Sequence, residues 1–520
     1  MNFKKNKPKA LTTLLVLLSF AAYYLLAYRT LRTEVYQVFA LFGVLFLAYG
    51  LLYQSVKDAP TYRFLLIAAI LFRVLLLFAL PNLSDDFYRF NWDGRLLGNG
   101  ISPFEALPIH FIDGTYQGLI PNNINLELYS QLNSPQYFTI YPPVCQFIFW
   151  FACSFFPNDL YGATALMKTC LLLFEVGSIY LLYRMVQRLG LQPKKTLLYA
   201  LNPLVIVELT GNVHFEAAMI FFILLAVWFL LDARSKKQEA RRKMKDERRR
   251  MEDGGRKTLG IGQWVMDYKH WGKEFWRCMV GSPKVEVKTR SWVFSAAAMG
   301  LAISSKLIPM IFLPFFIRLL GWRKGILYGA IAGMVTLFGF VPLFTFDILQ
   351  NLLSSIGLYF QKFEFNASIY YLVRWIGYQV YGYNIIQTAG RNLAILTLVG
   401  IMAMAFWENK NWGNEKSVAA HLKTLLQGFL FALLIYFAFA NIVHPWYVSS
   451  LVALCIFTPF RFPIVWSGMV VLTYYTYLTD AYTENLYLVG FEYFVVCVCL
   501  IWELKTAFLT KTLSSAKSVS

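Results

Sequence analysis

The sequence has few charged residues for its length. Only 15% of the 520 residues are Asp, Glu, Lys or Arg, whereas about a quarter are charged in soluble globular proteins. Hydrophobic residues make up 58% and the mean hydropathy is +0.50. Many windows of about 20 residues are almost free of charge, as in transmembrane helices. This composition excludes a soluble enzyme. Because lipid cannot satisfy the hydrogen bonds of open backbone, we predict an all-α polytopic membrane protein.

The sequence also lacks the common motifs of disulfide, metal and nucleotide chemistry. The cysteines show no CxxC spacing, and there is no HExxH or three-ligand pattern, so we expect neither disulfides nor a metal ion. There is no P-loop, Rossmann fingerprint or GxSxG motif. We therefore expect no cofactor. The seven cysteines lie mostly in apolar runs, at Cys145, Cys153, Cys170, Cys278, Cys455, Cys497 and Cys499.

Positive charge is plentiful and predicts orientation. The formal net charge is +19, which in a membrane protein reflects the lysine and arginine of cytoplasmic loops rather than nucleic-acid binding. Lys4, Lys5, Lys7 and Lys9 precede an apolar run without a small-residue cleavage site. We therefore expect this run to be a first membrane span with a cytoplasmic start, and no cleaved signal peptide.

The hydropathy pattern divides the chain into two membrane halves. Residues 1–231 would form the first half, with an outer loop at 82–141, and residues 291–505 the second. Between them lies a basic cytoplasmic insertion, 232–290, and residues 506–520 would be a cytoplasmic tail. About 13 to 14 transmembrane helices are predicted; the short apolar segment 142–156 would be re-entrant or interfacial. Arg73, inside the third span, needs a partner or an aqueous cavity.

Alternating the spans between the two sides of the membrane places the polar clusters together. The basic insertion must be cytoplasmic, and counting from it brings every prominent polar cluster to the outer side. A single outward-facing site explains this sorting. The clusters are Asp85–Arg95, Thr139–Pro143, Gly211–Glu216, Ser304–Lys306, Phe363–Ser368, Val443–Tyr447 and Thr479–Asn485.

The adjacent acids Asp85 and Asp86 are the leading catalytic candidates. A carboxylate in a partly wet cleft can act as general base for an acceptor hydroxyl. In a helix beginning near Ser84, Asp86 would share a face with Arg89 and Asp93. The alternative is a structural role, with Ser84 as the N-cap and the acids in the first turn, where the helix dipole favours them. Arg89 and Arg95 either neutralise the acids or bind a phosphate, whose geometry suits guanidinium.

The remaining polar clusters supply candidate phosphate ligands. Lys306 follows a span and either reaches the interface or binds a phosphate. His444 precedes Trp446 and Tyr447, which an interfacial aromatic belt would also explain. His214 and Glu216 start another span, where a structural contact is the alternative to a substrate contact. Since nucleotide motifs are missing, the activated substrate would already be in the membrane, and a lipid-linked phosphosugar meets this requirement.

Several segments in order resemble the GT-C superfamily of integral-membrane glycosyltransferases, particularly its polyprenol-phosphate-mannose-type mannosyltransferases. The most specific is SDDFYRFNWDGRLLGNGISPF, which is similar to the first outer loop of that family, with its acidic pair, WDG and G-x-x-P-[FY]. The other similar segments are TIYPPV, LNPLVIVELTGNVHFEAAM, ISSKLIPMIFLP and VHPWYV, and together they run from about residue 84 to 450.

The resemblance implies an inverting mannosyltransferase with a GT-C-like bundle. The donor would be a polyprenyl-phosphate sugar and the acceptor a lipid- or glycan-linked molecule, at the outer face of a bacterial cytoplasmic membrane. Asp85 or Asp86 would be the base, and no metal would be needed. The candidate donor-phosphate ligands are Arg89, Arg95, Lys306 and His444; the candidate substrate-binding residues are Tyr88, Trp92, Asp93, Tyr141, His214, Glu216, Trp446 and Tyr447.

Two rival functions share the broad architecture. Intramembrane charges and broken helices also occur in transporters, so a flippase or transporter for a lipid-linked solute is one alternative. No internal repeat is visible, and the polar clusters gather at one face rather than at the midplane, which argues against it. The second is a lipid-linked oligosaccharide polymerase or ligase.

Overall fold

The computed structural model describes residues 10–231, 289–361, 363–406, 418–479 and 482–516. Almost all of the basic insertion predicted at 232–290 lies outside these residues. The first half contains α1 (Ala10–Tyr28), α2 (Val35–Ser55), α3 (Ala59–Leu76), α4 (Asp86–Gly98), α5 (Leu126–Ser130), α6 (Pro143–Phe155), α7 (Leu160–Arg188), α8 (Leu197–Ala200), α9 (Pro203–Gly211) and α10 (Glu216–Leu231).

The described residues of the second half also fold mainly into helices. The only β-type pairing found there is a single parallel bridge between Phe365 and Ile442. Residues 506–516 of the predicted tail continue the last helix. The helices are α11 (Thr289–Ser305), α12 (Ile308–Leu320), α13 (Trp322–Phe340), α14 (Ile348–Gln361), α15 (Ile369–Tyr381), α16 (Ile386–Phe406), α17 (Val418–Phe439), α18 (Pro445–Cys455), α19 (Phe462–Leu478) and α20 (Leu486–Ala516).

The predicted all-α polytopic membrane architecture is confirmed. Within the described ranges, eight helices are long and apolar enough to cross a membrane, and the bent pair α9–α10 is a ninth if it counts as one span. The four shorter apolar helices are α6, α12, α18 and α19. A helix of 13 residues reaches only about 20 Å, against about 30 Å of hydrocarbon. The predicted 13 to 14 crossings depend on these short helices and stay a prediction.

The intramembrane charge of Arg73 has the partner it requires. The Arg73 Nε donates to Glu175 Oε2 at 2.8 Å, and both side chains are fully buried. Arg73 Nη1 also donates to the carbonyl of Ala200 at 2.7 Å, and the Tyr199 hydroxyl donates to Glu175 Oε1. A buried ion pair needs such further hydrogen bonds, and of its charged atoms only Arg73 Nη2 has no hydrogen-bond partner among the described residues. This pair therefore ties α3 to α7 and α8.

Loop 82–141 is held against the membrane helices by close packing of α4 on α6. Gly94, the glycine of the WDG sequence, lies at this contact, where a Cβ would meet the carbonyl of Phe149 and the sulfur of Cys153. Only glycine permits this approach. The Pro142–Pro143 pair starts α6, because proline fits the first helical position. The loop has its own small apolar core around Trp92 and Phe111.

The break between α9 and α10 is a site of unusual backbone geometry. The two helices meet at 112°, and Ile206–Gly211 are π-helical. Val213 has φ of 63°, a conformation that a β-branched residue rarely adopts. Such strain persists only where the surrounding structure enforces it, often at functional sites. The break therefore holds His214 in a fixed, non-helical conformation, two residues before Glu216 begins α10.

Two segments far apart in sequence meet beside this break. The Phe365 N–H donates to the carbonyl of Asn441 at 2.9 Å, and the Val443 N–H donates to the carbonyl of Phe365 at 2.9 Å. Glu484 accepts from the backbone N–H of Asn366 at 2.6 Å. Three of the polar clusters found in the sequence are thus connected to one another.

Candidate active site

The adjacent carboxylates Asp85 and Asp86 have different partners. Asp85 occupies the N-cap position of α4, but its side chain makes no capping hydrogen bond. Its Oδ2 instead lies 2.5 Å from Nη1 of Arg32, in the turn between α1 and α2. Asp85, and not Ser84, therefore occupies the N-cap position, at the helix end where the dipole favours an acid, and its charge is compensated by an arginine.

Asp86 is held by neutral donors. Asn133 Nδ2 donates to its Oδ1 at 2.9 Å, and the Tyr141 hydroxyl donates to its Oδ2 at 3.3 Å. Within the part of the chain that the structure describes, no lysine or arginine forms an ion pair with Asp86. The carboxylate is half-buried, so it is both oriented and accessible. These are the properties of a general base.

Arg89 and Arg95 both form hydrogen bonds with residues of the same loop. Arg89 Nε donates to Asp93 Oδ1 at 2.8 Å, and its Nη1 donates to the carbonyl of Tyr137 at 3.0 Å. Arg95 Nη1 donates to the carbonyl of Asn123 at 2.9 Å, and burial lowers the pKa of Arg95. The structure therefore places the two arginines among internal partners and does not bring them to Lys306 or His444.

The candidate substrate-binding residues of α4 differ in exposure. Trp92 and Asp93 are fully buried inside the loop, where Gln146 Nε2 donates to Asp93 Oδ2 at 3.0 Å. Tyr88 is half-buried beside the acidic pair. Burial and the neighbouring Asp85 carboxylate raise the pKa of the Tyr88 hydroxyl, which keeps it protonated near neutral pH. Of these three residues, only Tyr88 lies where a substrate could touch it.

Lys306 and Glu216 form the second charged group of the site. Lys306 Nζ lies 2.6 Å from Glu216 Oε1, and the side chains are 19% and 1% exposed. The ammonium also lies 4.9 Å from the centre of the Tyr447 ring, within the range of a cation–π contact. The sequence predicted all three residues as ligands separately, and the structure brings them together.

Trp446 lies between two imidazole rings. His214 stacks on it with ring centroids 3.6 Å apart and an interplanar angle of 19°. His444 stacks on it at 4.4 Å and 11°. Both ring faces of Trp446 are therefore occupied by protein, which fixes the two histidines and leaves no open face for a sugar to stack on.

The two histidines have different surroundings. His214 Nε2 lies 3.3 Å from Glu208 Oε2, and Glu208 is held by the hydroxyl of Tyr474 at 2.5 Å. His444 Nδ1 is buried without a hydrogen-bond partner among the described residues. Burial lowers the pKa of His444 to about 3, and Lys306 and His214 act in the same direction. His444 is therefore a neutral imidazole with one ring nitrogen unused.

Packed side chains connect the Asp86 region with the Lys306 region. The Phe215 ring contacts Phe90 at 5.5 Å and Phe149 at 5.1 Å, so the broken helix packs directly on α4 and α6. The Cys145 thiol donates to the carbonyl of Ser305 at 3.1 Å, next to Lys306. The acidic loop and the lysine pair thus belong to one continuous site.

Sequence reasoning missed several residues of this site. Arg32, Asn133 and Tyr474 lie in segments that carried no catalytic motif. Glu208 stood within the quoted LNPLVIVELTGNVHFEAAM segment but received no role. One signal was available for Arg32, because the predicted topology places it in an outer turn, against the preference for positive charge on the cytoplasmic side.

Comparison with known proteins places this architecture in a family. The family model described as "Alpha-(1->6)-mannopyranosyltransferase, N-terminal domain" (the MptA/B family) matches residues 15–321, more than half of the chain. No curated protein and no solved structure matches the chain. The matched range includes Asp85, Asp86 and Lys306, and the family agrees with the GT-C mannosyltransferase resemblance. The chain therefore belongs to the alpha-(1->6)-mannopyranosyltransferase family.

Proposed function

We propose that this integral-membrane mannosyltransferase moves a mannosyl group from a polyprenyl-phosphate mannose to a hydroxyl of a lipid- or glycan-linked acceptor. The family description implies an alpha-(1->6) linkage. We further propose that the reaction occurs at the outer face of a bacterial cytoplasmic membrane, with inversion at the anomeric carbon. The observation that carries the proposal is the oriented, uncompensated carboxylate of Asp86 in the same site as Lys306.

Asp86 is the proposed base. Its Oδ1 and Oδ2 are each held by one neutral donor, Asn133 and Tyr141, which orient the carboxylate without neutralising it. The acceptor hydroxyl loses its proton to Asp86 while its oxygen bonds to the anomeric carbon of mannose. The bond from this carbon to the phosphate oxygen breaks, and its electron pair leaves with the phosphate. Positioned bases contribute about 10²- to 10⁴-fold to such steps.

Lys306 and His444 are the proposed ligands of the departing phosphate. Negative charge develops on the leaving oxygen, and a fixed cation at that place stabilises the transition state. The ammonium of Lys306 contacts Glu216 but is partly exposed. A phosphate can therefore bind the same ammonium from its exposed side. His444 has an unused buried ring nitrogen in the described structure. Arg89 and Arg95 are left out of this set because their guanidinium groups already serve the loop.

A lipid-borne donor is supported by the nature of the chain. At least eight described helices are apolar enough to span a membrane, and the sequence carries no nucleotide-binding motif. An activated sugar on a membrane lipid reaches such a site without a soluble domain. The arrangement of the spans supports an outward site, because basic residues concentrate in the turns on the opposite side.

The test is a transfer assay with the purified protein in lipid nanodiscs. Polyprenyl-phosphate mannose with a radiolabelled mannosyl group is offered together with a panel of lipid-linked and glycan acceptors. A nucleotide-activated mannose replaces it in a parallel series. We expect label to reach at least one acceptor from the lipid donor and from no nucleotide donor, and we expect the product to contain an alpha-(1->6) bond.

Each other outcome favours a different function. Transfer from the nucleotide donor would refute the lipid-phosphate donor. Movement of the donor between leaflets of a vesicle without transfer would favour a flippase. Transfer of a whole oligosaccharide, with single mannosyl groups left on their carrier, would favour a polymerase or ligase.

A further inference from the structure

Arg32 is fixed beside the acidic pair by contacts from three parts of the chain. Its Nη1 lies 2.5 Å from Asp85 Oδ2, and its Nη2 donates to the hydroxyl of Tyr482 at 3.1 Å. Its guanidinium carbon lies 5.0 Å from the ring centre of Tyr477 and 5.7 Å from that of Tyr482. A guanidinium that is both paired and stacked on aromatic rings has little freedom to move.

Backbone strain at one of these contacts supports a specific role. Tyr482 has φ of 49°, a left-handed conformation that a tyrosine rarely adopts. Such a conformation is retained where neighbouring contacts enforce it. The Tyr482 hydroxyl and ring both contact Arg32, so the strained residue helps to hold the guanidinium in place.

Two carboxylates on consecutive residues raise an electrostatic problem. The negative charges of neighbouring carboxylates repel each other, and an uncompensated second charge disturbs the position and the charge of the first. The structure provides a cation for one member of the pair only, because Arg32 contacts Asp85 whereas Asp86 has neutral donors.

We infer that Arg32 is a positioning residue, which holds Asp85 as its counter-ion so that Asp86 alone acts as the proton acceptor. This inference rests on the proposed role of Asp86 and adds a residue that touches neither substrate. It also assigns a purpose to the acidic pair, in which Asp85 anchors the start of α4 to the turn between α1 and α2. Lysine in place of arginine would keep the charge but lose the planar stacking.

The experiment compares five variants in the same transfer assay. These are Arg32→Gln, Arg32→Lys, Asp85→Asn, the double variant Arg32→Gln with Asp85→Asn, and Asp86→Asn. Arg29→Gln is the matched control, because Arg29 is exposed in the neighbouring part of the same turn and its replacement removes an equal charge. For each variant, kcat and KM for the donor are measured separately, together with the thermal transition.

We expect Arg32→Gln to lower kcat at least about tenfold with little change in KM, since an uncompensated Asp85 then opposes the charge on Asp86. Arg32→Lys should retain more activity. The decisive expectation concerns the double variant, which should have a higher kcat than Arg32→Gln, because removing the second carboxylate restores the balance of charge. Arg29→Gln should match the wild type.

The outcomes separate this inference from the proposed function. If Asp86→Asn keeps its activity, the proposed base is wrong. If Asp86→Asn is inactive while Arg32→Gln equals the wild type, Arg32 has no part in the reaction. If the double variant is no better than Arg32→Gln, Arg32 is only a structural anchor, and the inference is overturned.

Discussion

The ammonium of Lys306 lies 2.6 Å from Oε1 of Glu216, just after the break between α9 and α10. Glu216 is almost completely buried, whereas Lys306 keeps about a fifth of its side chain exposed. The pair is thus a cation fixed from its buried side and open on the other. The exposed side of the ammonium can bind an anionic group. The contact with Glu216 is then the structural role of the lysine, and the contact with the anion is its proposed chemical role.

We predict that Lys306→Met lowers both stability and activity. The loss of one partner leaves Glu216 buried and unpaired, which should cost about 2 kcal/mol of unfolding free energy, less than in a fully buried pair. Transfer should fall at least about 100-fold, because the cation at the departing phosphate is lost. Thermal denaturation and steady-state kinetics measure the two effects.

A double variant, Lys306→Met with Glu216→Gln, separates the two roles. The neutral glutamine should restore most of the lost stability but none of the lost activity. Recovery of activity together with stability would mean that Lys306 acts only through the fold.

The contact of Gly94 with α6 predicts a sharp effect of a single methyl group. Gly94→Ala would place a Cβ against the carbonyl of Phe149 and the sulfur of Cys153. Because backbone must move, we expect a loss of about 1–3 kcal/mol in stability and a fall in activity as α4 shifts. Gly98→Ala in the same helix has open space around it and should be neutral or slightly stabilising. Equal thermal transitions for the two variants would contradict the close packing.

His444 predicts a pH dependence of stability. Burial lowers its pKa to about 3, whereas an unfolded histidine titrates near about 6.5. Between these values the unfolded chain binds a proton that the folded chain does not. The free energy of unfolding should therefore fall as the pH decreases through this window, by up to about 1.4 kcal/mol per pH unit for this one group.

The comparison of wild type with His444→Gln isolates this contribution, since the other titrating groups are shared. Thermal transitions are measured at about pH 7, which is above the window, and at about pH 4.5, which is inside it. The wild type should lose more stability than His444→Gln between the two values. A wild-type loss no larger than that of the variant would show that His444 titrates like an exposed histidine.

The proposed outward orientation of the site predicts the labelling of introduced cysteines. Leu119 is 95% exposed in loop 82–141, and Lys324 is exposed in the first turn of α13. In intact cells an impermeant thiol reagent should label Leu119→Cys but not Lys324→Cys. The exposed native Cys497 is replaced by serine in both proteins. The reverse labelling pattern would place the site on the cytoplasmic side.

Local patterns predicted much of α4 correctly. The spacing of Asp86, Arg89 and Asp93 indicated one helical face, and the Arg89–Asp93 bond forms at the expected i, i+4 distance. The pattern could not tell that Asp86 would turn to Asn133 and Tyr141 instead of Arg89. Those partners lie 47 and 55 residues away, and their approach depends on how the whole loop folds on α6.

Contacts between distant segments were beyond sequence reasoning for the same reason. Arg32 and Asp85 belong to different elements, and only the packing of α1–α3 beneath the loop brings them together. His214 and Trp446 were both selected as ligands, but their stacking requires the strained backbone at Val213. A β-branched residue gives no sequence signal for a left-handed conformation, so this geometry could not be predicted from the sequence.

The measurement that tests the central claim most directly is the rate of mannosyl transfer from polyprenyl-phosphate mannose by Asp86→Asn. The substitution keeps the size of the side chain and removes its ability to accept a proton. With the thermal transition and the KM for the donor preserved, the account predicts a fall in kcat of at least about 100-fold. A kcat within a few-fold of the wild type, or loss of activity in Asp85→Asn but not in Asp86→Asn, would contradict it.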